Sequence, residues 1–145
     1  MAFLNSLNIG ASALTAQRFR MDVISQNLAN IDTTRTADGT PYRRKQVVFQ
    51  EKGPESFVNV LNKQMTTVPG GGVRVKKLIH DDEPLVPKYD PSHPDADESG
   101  YVMMPNVDNL EEMIDMMSAT ASYTANINAI NAVKRMAANA LQIGR

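Results

Sequence analysis

The sequence contains no cysteine and no tryptophan, and of its 145 residues only four are Phe and four Tyr. Without cysteine there can be no disulfide, no thiolate nucleophile and no Cys-ligated metal. Large aromatics normally supply much of a compact core, and here they are scarce. The apolar residues are instead Leu, Ile, Val, Met and Ala, concentrated at the two ends. That distribution suits elongated helix packing rather than a globule. An excess of charge is also lacking. The formal net charge is −1, which gives no bulk attraction for nucleic acid.

Long apolar runs are missing as well. Residues 1–17 carry no charged side chain, and Ala11-Ser12-Ala13 has the look of a cleavage site. A secretory signal, however, needs a basic start and an unbroken apolar centre, and Asn5, Ser6 and Asn8 interrupt this one. No cleaved signal is expected. Residues 116–133 are uncharged over a membrane-span length. Asn126, Asn128 and Asn131 would be costly in lipid, so a protein-facing helix is expected there and not a membrane span.

What charge there is lies unevenly. Nine of the basic residues fall between Arg35 and Lys77, and eleven of the acids between Asp81 and Asp115. Two unlike faces help like subunits add in register. A solvated surface is the plainer account.

Periodicity predicts a helix over residues 3–30. Leu7, Leu14, Met21 and Leu28 recur every seven residues, flanked by Ala11, Ile24 and Ile31, which makes a narrow coiled-coil seam. Gly10 inside it should fray or bend the first turns. Asn30 suits a left-handed cap. Asp38-Gly39 marks a turn. Strands are expected over Tyr42–Phe49, Val73–Ile79 and Tyr101–Met104, with a short apolar run at Phe57–Leu61 and a turn at 70–72. Residues 81–99 read as a linker, because Pro84, Pro87, Pro91 and Pro94 exclude helix and favour an extended path.

A second helix should run over 106–143, capped by Asn106 or Asp108, with Glu111 and Glu112 suiting the positive end of its dipole. Val107, Leu110, Ile114, Met117 and Ala121 form one stripe. Tyr123, Ile127, Ile130, Ala137 and Leu141 form a second, rotated one. A seam that drifts in this way meets several neighbours in turn.

The expected fold is mainly α with a small β insert. Paired terminal helices, 1–32 with 105–145, form a coiled-coil assembly domain around a β-rich segment, 33–104. Pairing still leaves apolar positions uncovered, which calls for partners. The interface residues expected are Leu7, Leu14, Met21, Leu28, Leu110, Ile114, Met117, Ile127, Ile130 and Leu141.

Sites for chemistry are poorly supported. His80, Asp81, Asp82 and Glu83, with His93 and Asp95, match no defined ligand spacing, and a solvated linker accounts for them. Residues 70–72 lack the Gly-Lys-Ser/Thr continuation of a phosphate loop. Arg43-Arg44-Lys45 has no interleaved aromatic platform for nucleic acid and more readily meets acidic neighbours or water. No cofactor and no enzymatic activity are expected.

The segment Ser25-Gln26-Asn27-Leu28-Ala29-Asn30-Ile31-Asp32-Thr33-Thr34 resembles the N-terminal signature of bacterial flagellar rod and hook proteins. Asn27, Leu28, Ala29, Asn30 and Thr33 carry the likeness. Residues 34–45, Gly100-Tyr101-Val102, Pro105-Asn106-Val107-Asp108 and the end from Ala140 to Arg145 resemble the proximal branch of that family. Gly-Tyr, which many distal rod and hook relatives have after the motif Thr, is absent here. The resemblance implies a subunit of a tubular, torque-transmitting rod in the periplasmic part of the flagellar basal body. Its partners would be copies of itself, proximal and distal rod proteins, the hook-basal body adaptor and the flagellar type III export apparatus. Two rivals are a coiled-coil adaptor or needle-like subunit of a type III secretion system, and a small hydrolase using His80 or His93.

Overall fold

The computed structural model describes residues 2–53 and 71–143. The apolar run Phe57–Leu61 and Gly70 of the expected turn lie outside the described residues, as does Gly144, which follows the expected end of the second helix. Two long helices flank short strands: α1 (Ala2–Ala29), β1 (Lys45–Glu51), β2 (Val73–His80), β3 (Val86–Tyr89), β4 (Tyr101–Met104) and α2 (Asn109–Ile143). The fold is mainly α with a small β insert, as the sequence predicts. β1 pairs with β2, and β3 with β4.

One difference lies in the segment read as a linker. Val86–Tyr89 is a strand, antiparallel to β4 in the register Val86↔Met104, Pro87↔Met103, Lys88↔Val102, Tyr89↔Tyr101. Proline lacks an N–H to donate but is compatible with an edge strand, and in a two-stranded sheet every strand is an edge. The loop between the strands is fixed by its own side chains. Asp90 Oδ1 accepts from the Ser92 amide and hydroxyl, and Asp97 Oδ1 accepts from the amides of Ser99 and Tyr101.

The chain divides into two compact units. The first comprises Met1–Phe19, Val48–Lys77 and Thr120–Arg145, and the second Arg20–Val47 and Leu78–Ala119.

In the first unit α1 is helical straight through Gly10, where fraying or bending is expected from sequence. A methyl group at Gly10 would stand 2.7 Å from Cγ1 of Ile130. The glycine therefore lets α1 and α2 approach closely, which explains a residue that intrinsic helix preference disfavours. Ser12 ties α1 to the start of β2: its hydroxyl donates to the Ile9 carbonyl and accepts from the Val73 amide.

In the second unit α1 ends at Ala29. No non-glycine residue among those described has a positive φ, so Asn30 does not take the left-handed cap expected of it. Its side-chain amide instead donates to the Gln26 carbonyl, and its backbone amide donates to the Asn27 carbonyl. Such 3₁₀-type closure satisfies carbonyls that a helix end leaves open. The Asp38-Gly39 turn is closed by Gly39 N–H to the Thr36 carbonyl and Thr36 N–H to the Thr40 carbonyl. α2 is capped by Asp108, whose Oδ1 accepts from the amides of Leu110 and Glu111. Asn106, the other candidate cap, has a different task.

Candidate functional site: a buried polar clasp

In the second unit three sequence-distant segments meet at Asn27. This side chain is 1% exposed, and every one of its hydrogen-bonding positions is engaged. Nδ2 donates to the Lys45 carbonyl at 2.9 Å and to Glu112 Oε2 at 3.1 Å. Oδ1 accepts from the Tyr42 hydroxyl at 2.8 Å and from the Lys45 amide at 3.0 Å. One asparagine thus stitches the end of α1 to the entry of β1 and to the first turn of α2. Aspartate lacks the donors and leucine lacks both functions, so this geometry needs an amide.

Glu112 is also 1% exposed. Its second oxygen accepts from Arg44 Nε at 2.5 Å. The Arg44 guanidinium further meets Glu111 at 3.0 Å, Asp115 at 3.6 Å and Asp81 at 3.7 Å. Burial by itself lowers the Arg44 pKa. The hydrogen bonds and charges of Glu112 and Glu111 outweigh it and raise the pKa, holding the cation charged. Arg20 pairs with Asp115 at 2.9 Å. These contacts run antiparallel along the helices, Arg20 with Asp115 and Asn27 with Glu112. Asn106 completes the clasp: Oδ1 accepts from the Arg44 amide at 2.9 Å, and Nδ2 donates to the carbonyls of Asp81 and Glu83. Pro105, just before it, is buried.

Each expected motif residue has a definite place. Asn27 and Asn106 are at the centre, and Asp108 is the cap. Asn30 closes α1 and accepts from the Thr33 hydroxyl at 3.2 Å. The Thr33 carbonyl accepts from the Tyr42 amide, which holds the loop against the clasp. Leu28 is half-buried and Ala29 exposed.

Sequence reasoning missed three participants. Glu112 reads as a dipole-complementing surface acid, Tyr42 as a strand residue, and Arg44 only as part of a basic run that meets acidic neighbours or water. The available signal is helical phase. Glu112, Met116, Ala119, Tyr123, Asn126 and Ile130 lie on one face of α2, and that face turns inward: Glu112 and Ala119 are buried and the rest half-buried.

The residues expected at the assembly interface differ in exposure. Leu110 (68% exposed), Ile114, Met117 (71% exposed) and Leu141 stand in solvent, while Leu7, Leu14, Met21, Leu28, Ile127 and Ile130 are half-buried. The residues of α1 that the chain itself buries are Ala16, Val23, Ile24 and Asn27, a row beside the predicted heptad.

Three of the residues weighed for chemistry, Asp81, His93 and Asp95, have structural partners. Asp81 engages Arg44 and accepts from Gln46 Nε2 at 2.7 Å. His93 Nδ1 accepts from the Asp95 amide, and Asp95 accepts from the Thr34 hydroxyl. Among the described residues no three His, Asp or Glu stand together as a metal-binding group. No helix among them is long and apolar enough to cross a membrane.

The class follows from where family similarity falls. The family model for flagella basal body rod protein matches residues 7–35, and the flagellar basal body rod FlgEFG protein C-terminal model matches residues 98–143. These are the segments that the clasp joins. Over full length the chain is 53% identical to the flagellar basal-body rod protein FlgC of Bacillus subtilis, with all of both chains covered. It is 46% identical to FlgC of Salmonella typhimurium, again with full coverage. With FlgC of Borreliella burgdorferi it shares 44% identity over 99% of this chain and 98% of that one. The chain belongs to the FlgC family of flagellar basal-body rod proteins.

Proposed function

We propose that the chain is a structural, non-enzymatic subunit of the proximal flagellar rod, polymerising with copies of itself and with other rod subunits into a torque-transmitting shaft. One observation carries this reading: the N-terminal turns of α2 bury a charged residue and a small one and leave a run of large apolar side chains outward. Glu112 is sealed inside, while Leu110, Met113, Ile114 and Met117 face solvent. An apolar strip on this scale is a surface built to be covered. The clasp supplies the complementary requirement, since it fixes the first turns of α2 against α1 without spending the apolar side chains on the interior.

In this reading the terminal segments 1–32 and 105–145 carry assembly, and residues 33–104 set lateral register. The interface comprises Leu7, Leu14, Met21 and Leu28 on α1, with Leu110, Ile114, Met117, Ile127, Ile130 and Leu141 on α2. Neighbours are copies, other proximal and distal rod proteins and the hook-basal body adaptor. The chain reaches the periplasmic rod through the flagellar type III export apparatus. Packed interfaces resist deformation, which suits torque transfer.

The test uses Met117→Asp and Leu14→Asp. The Met117 side chain is in solvent, so Met117→Asp should leave the circular dichroism spectrum and unfolding midpoint of the purified chain unchanged. Both variants should abolish recovery of rods in purified basal bodies and swimming in soft agar. Soluble variants that still built complete rods and supported swimming would overturn the interface.

A further inference from the structure

The β3–β4 hairpin carries an apolar face that the chain leaves open. In its register Pro87 pairs with Met103 and Tyr89 with Tyr101, and all four side chains are exposed, Tyr89 by 64%. Alternate positions share a face of a sheet, so the two pairs form one patch. The opposite side is anchored by Val102, which is buried. The patch is preorganised. The rings of Tyr89 and Tyr101 meet edge to face with centroids 5.3 Å apart. Gly100, at φ 79°, leaves room for the Tyr89 ring beside Pro91: a Cβ there would stand 3.0 Å from Tyr89 Cε2 and 3.2 Å from Pro91 Cβ. The loop beyond the tyrosines is acidic, with Asp90, Asp95, Asp97 and Glu98. Hydrogen bonds from the Ser92 hydroxyl and amide keep Asp90 below the usual carboxylate range, hence charged.

The same chain carries the complement. On β2 the alternate residues Arg74, Lys76, Leu78 and His80 are exposed, while Val73, Val75 and Ile79 of the other face are half-buried. Two residues along a strand advance about 6.7 Å, so Lys76 and Leu78 repeat at the spacing of the two hairpin pairs.

We infer that the exposed face of the β3–β4 hairpin docks on the exposed face of β2 of a second copy of this chain. Charge, apolar content and spacing select this occupant together. Lys76 lies over the Tyr89–Tyr101 pair as a cation over rings, Leu78 covers Pro87 and Met103, and Arg74 faces the acidic loop at Asp90 and Asp97. The contact is heterologous: each copy offers one hairpin and one β2, so association propagates as a ring or a helical row instead of closing as a dimer. It rests on the rod reading only for where the copies meet.

The absence of cysteine makes the test direct. A purified Leu78→Cys chain is mixed at high concentration and low ionic strength with a purified Met103→Cys chain and oxidised. The mixed disulfide dimer should form at least tenfold more than in three controls: Leu78→Cys with itself, Met103→Cys with itself, and Leu78→Cys with Lys88→Cys. Adding Lys76→Glu to the first partner, or raising salt to about 1 M, where screening is within a few ångströms, should remove that excess. A yield equal to the controls, or an excess indifferent to Lys76→Glu and salt, would overturn the contact. The rod reading fails on a separate observation, the absence of the unmodified chain from purified basal bodies.

Discussion

The two units place α1 beside α2 by opposite means. In the first, approach depends on something missing: Gly10 has no side chain, and Ile130 occupies the space. In the second, it depends on saturated hydrogen bonding between Asn27, Tyr42, Arg44, Asn106 and Glu112. Close approach of small residues is tolerant in direction and register. A buried polar network is not, since any slip leaves donors and acceptors unpaired in a low-dielectric surrounding. Within the second unit the clasp sets register, and within the first the glycine contact sets separation. Because polar groups fix this contact, Leu110, Met113, Ile114 and Met117 of α2 stay exposed.

The comparison breaks most sharply at Arg44. Arg44→Met keeps much of the volume but strands the Glu112 carboxylate, nearly inaccessible to water, without its charge partner. Removing one member of a buried pair costs about 3–5 kcal/mol, and that loss is expected here in urea unfolding of the purified chain followed by circular dichroism. A loss under 1 kcal/mol would show that the clasp is not what holds the second unit. The first unit should respond to bulk instead of charge. Gly10→Val places a branched side chain where Ile130 stands, at an expected cost of about 1–3 kcal/mol from overpacking. Gly10→Ala is the sharper probe. Ala is favoured over Gly by about 1 kcal/mol in a helix interior, so a net gain in stability would mean that Ile130 moves aside freely and the close approach carries no constraint.

The elements were legible in the sequence wherever local pattern decides them. Tyr101–Met104 is a strand over the span expected for it, and α2 begins after Pro105 as capping chemistry requires. β3 was not legible, because Pro87 argues against a strand and only pairing with β4 makes one. Less legible was which residues of the apolar stripes the chain covers by itself. Hydrophobic periodicity locates the apolar face of a helix and assumes that face is inside. In the first turns of α2 the inward residues are Glu112 and Ala119 and the outward ones Leu110, Ile114 and Met117, whereas further along Ile127 and Ile130 are half-buried. A chain that buries its apolar surface against other chains gives a periodicity signal for the assembly, not for its own interior. The clasp could be suspected only at Asn27 and Asn106, on the strength of resemblance. Its charged members stand 68 residues apart, and nothing in either local run announces the other.

The gentlest probe of the comparison is Tyr42→Phe, which removes one hydroxyl from the clasp and leaves its packing. The hydroxyl donates to Asn27 Oδ1, and that oxygen keeps the Lys45 amide as a second donor. The expected cost near neutral pH is therefore that of one satisfied hydrogen bond, about 1 kcal/mol. Alkaline pH separates this bond from mere packing. Burial, and then the Glu112 charge, raise the Tyr42 pKa above its ordinary 10.0, so the fold favours the neutral phenol. The unfolded chain releases this proton first as pH rises. The stabilising contribution is complete below pH 10 and is lost as pH climbs through the raised value. Every other group is common to both proteins, so the informative quantity is the difference between them. The gap in unfolding free energy should be constant from pH 6 to 9 and narrow above pH 10, because the phenylalanine variant has no proton there to lose. A gap that stayed constant through pH 11 would mean that the phenol is not held neutral by the fold, and that Glu112 does not face it in the way the geometry shows.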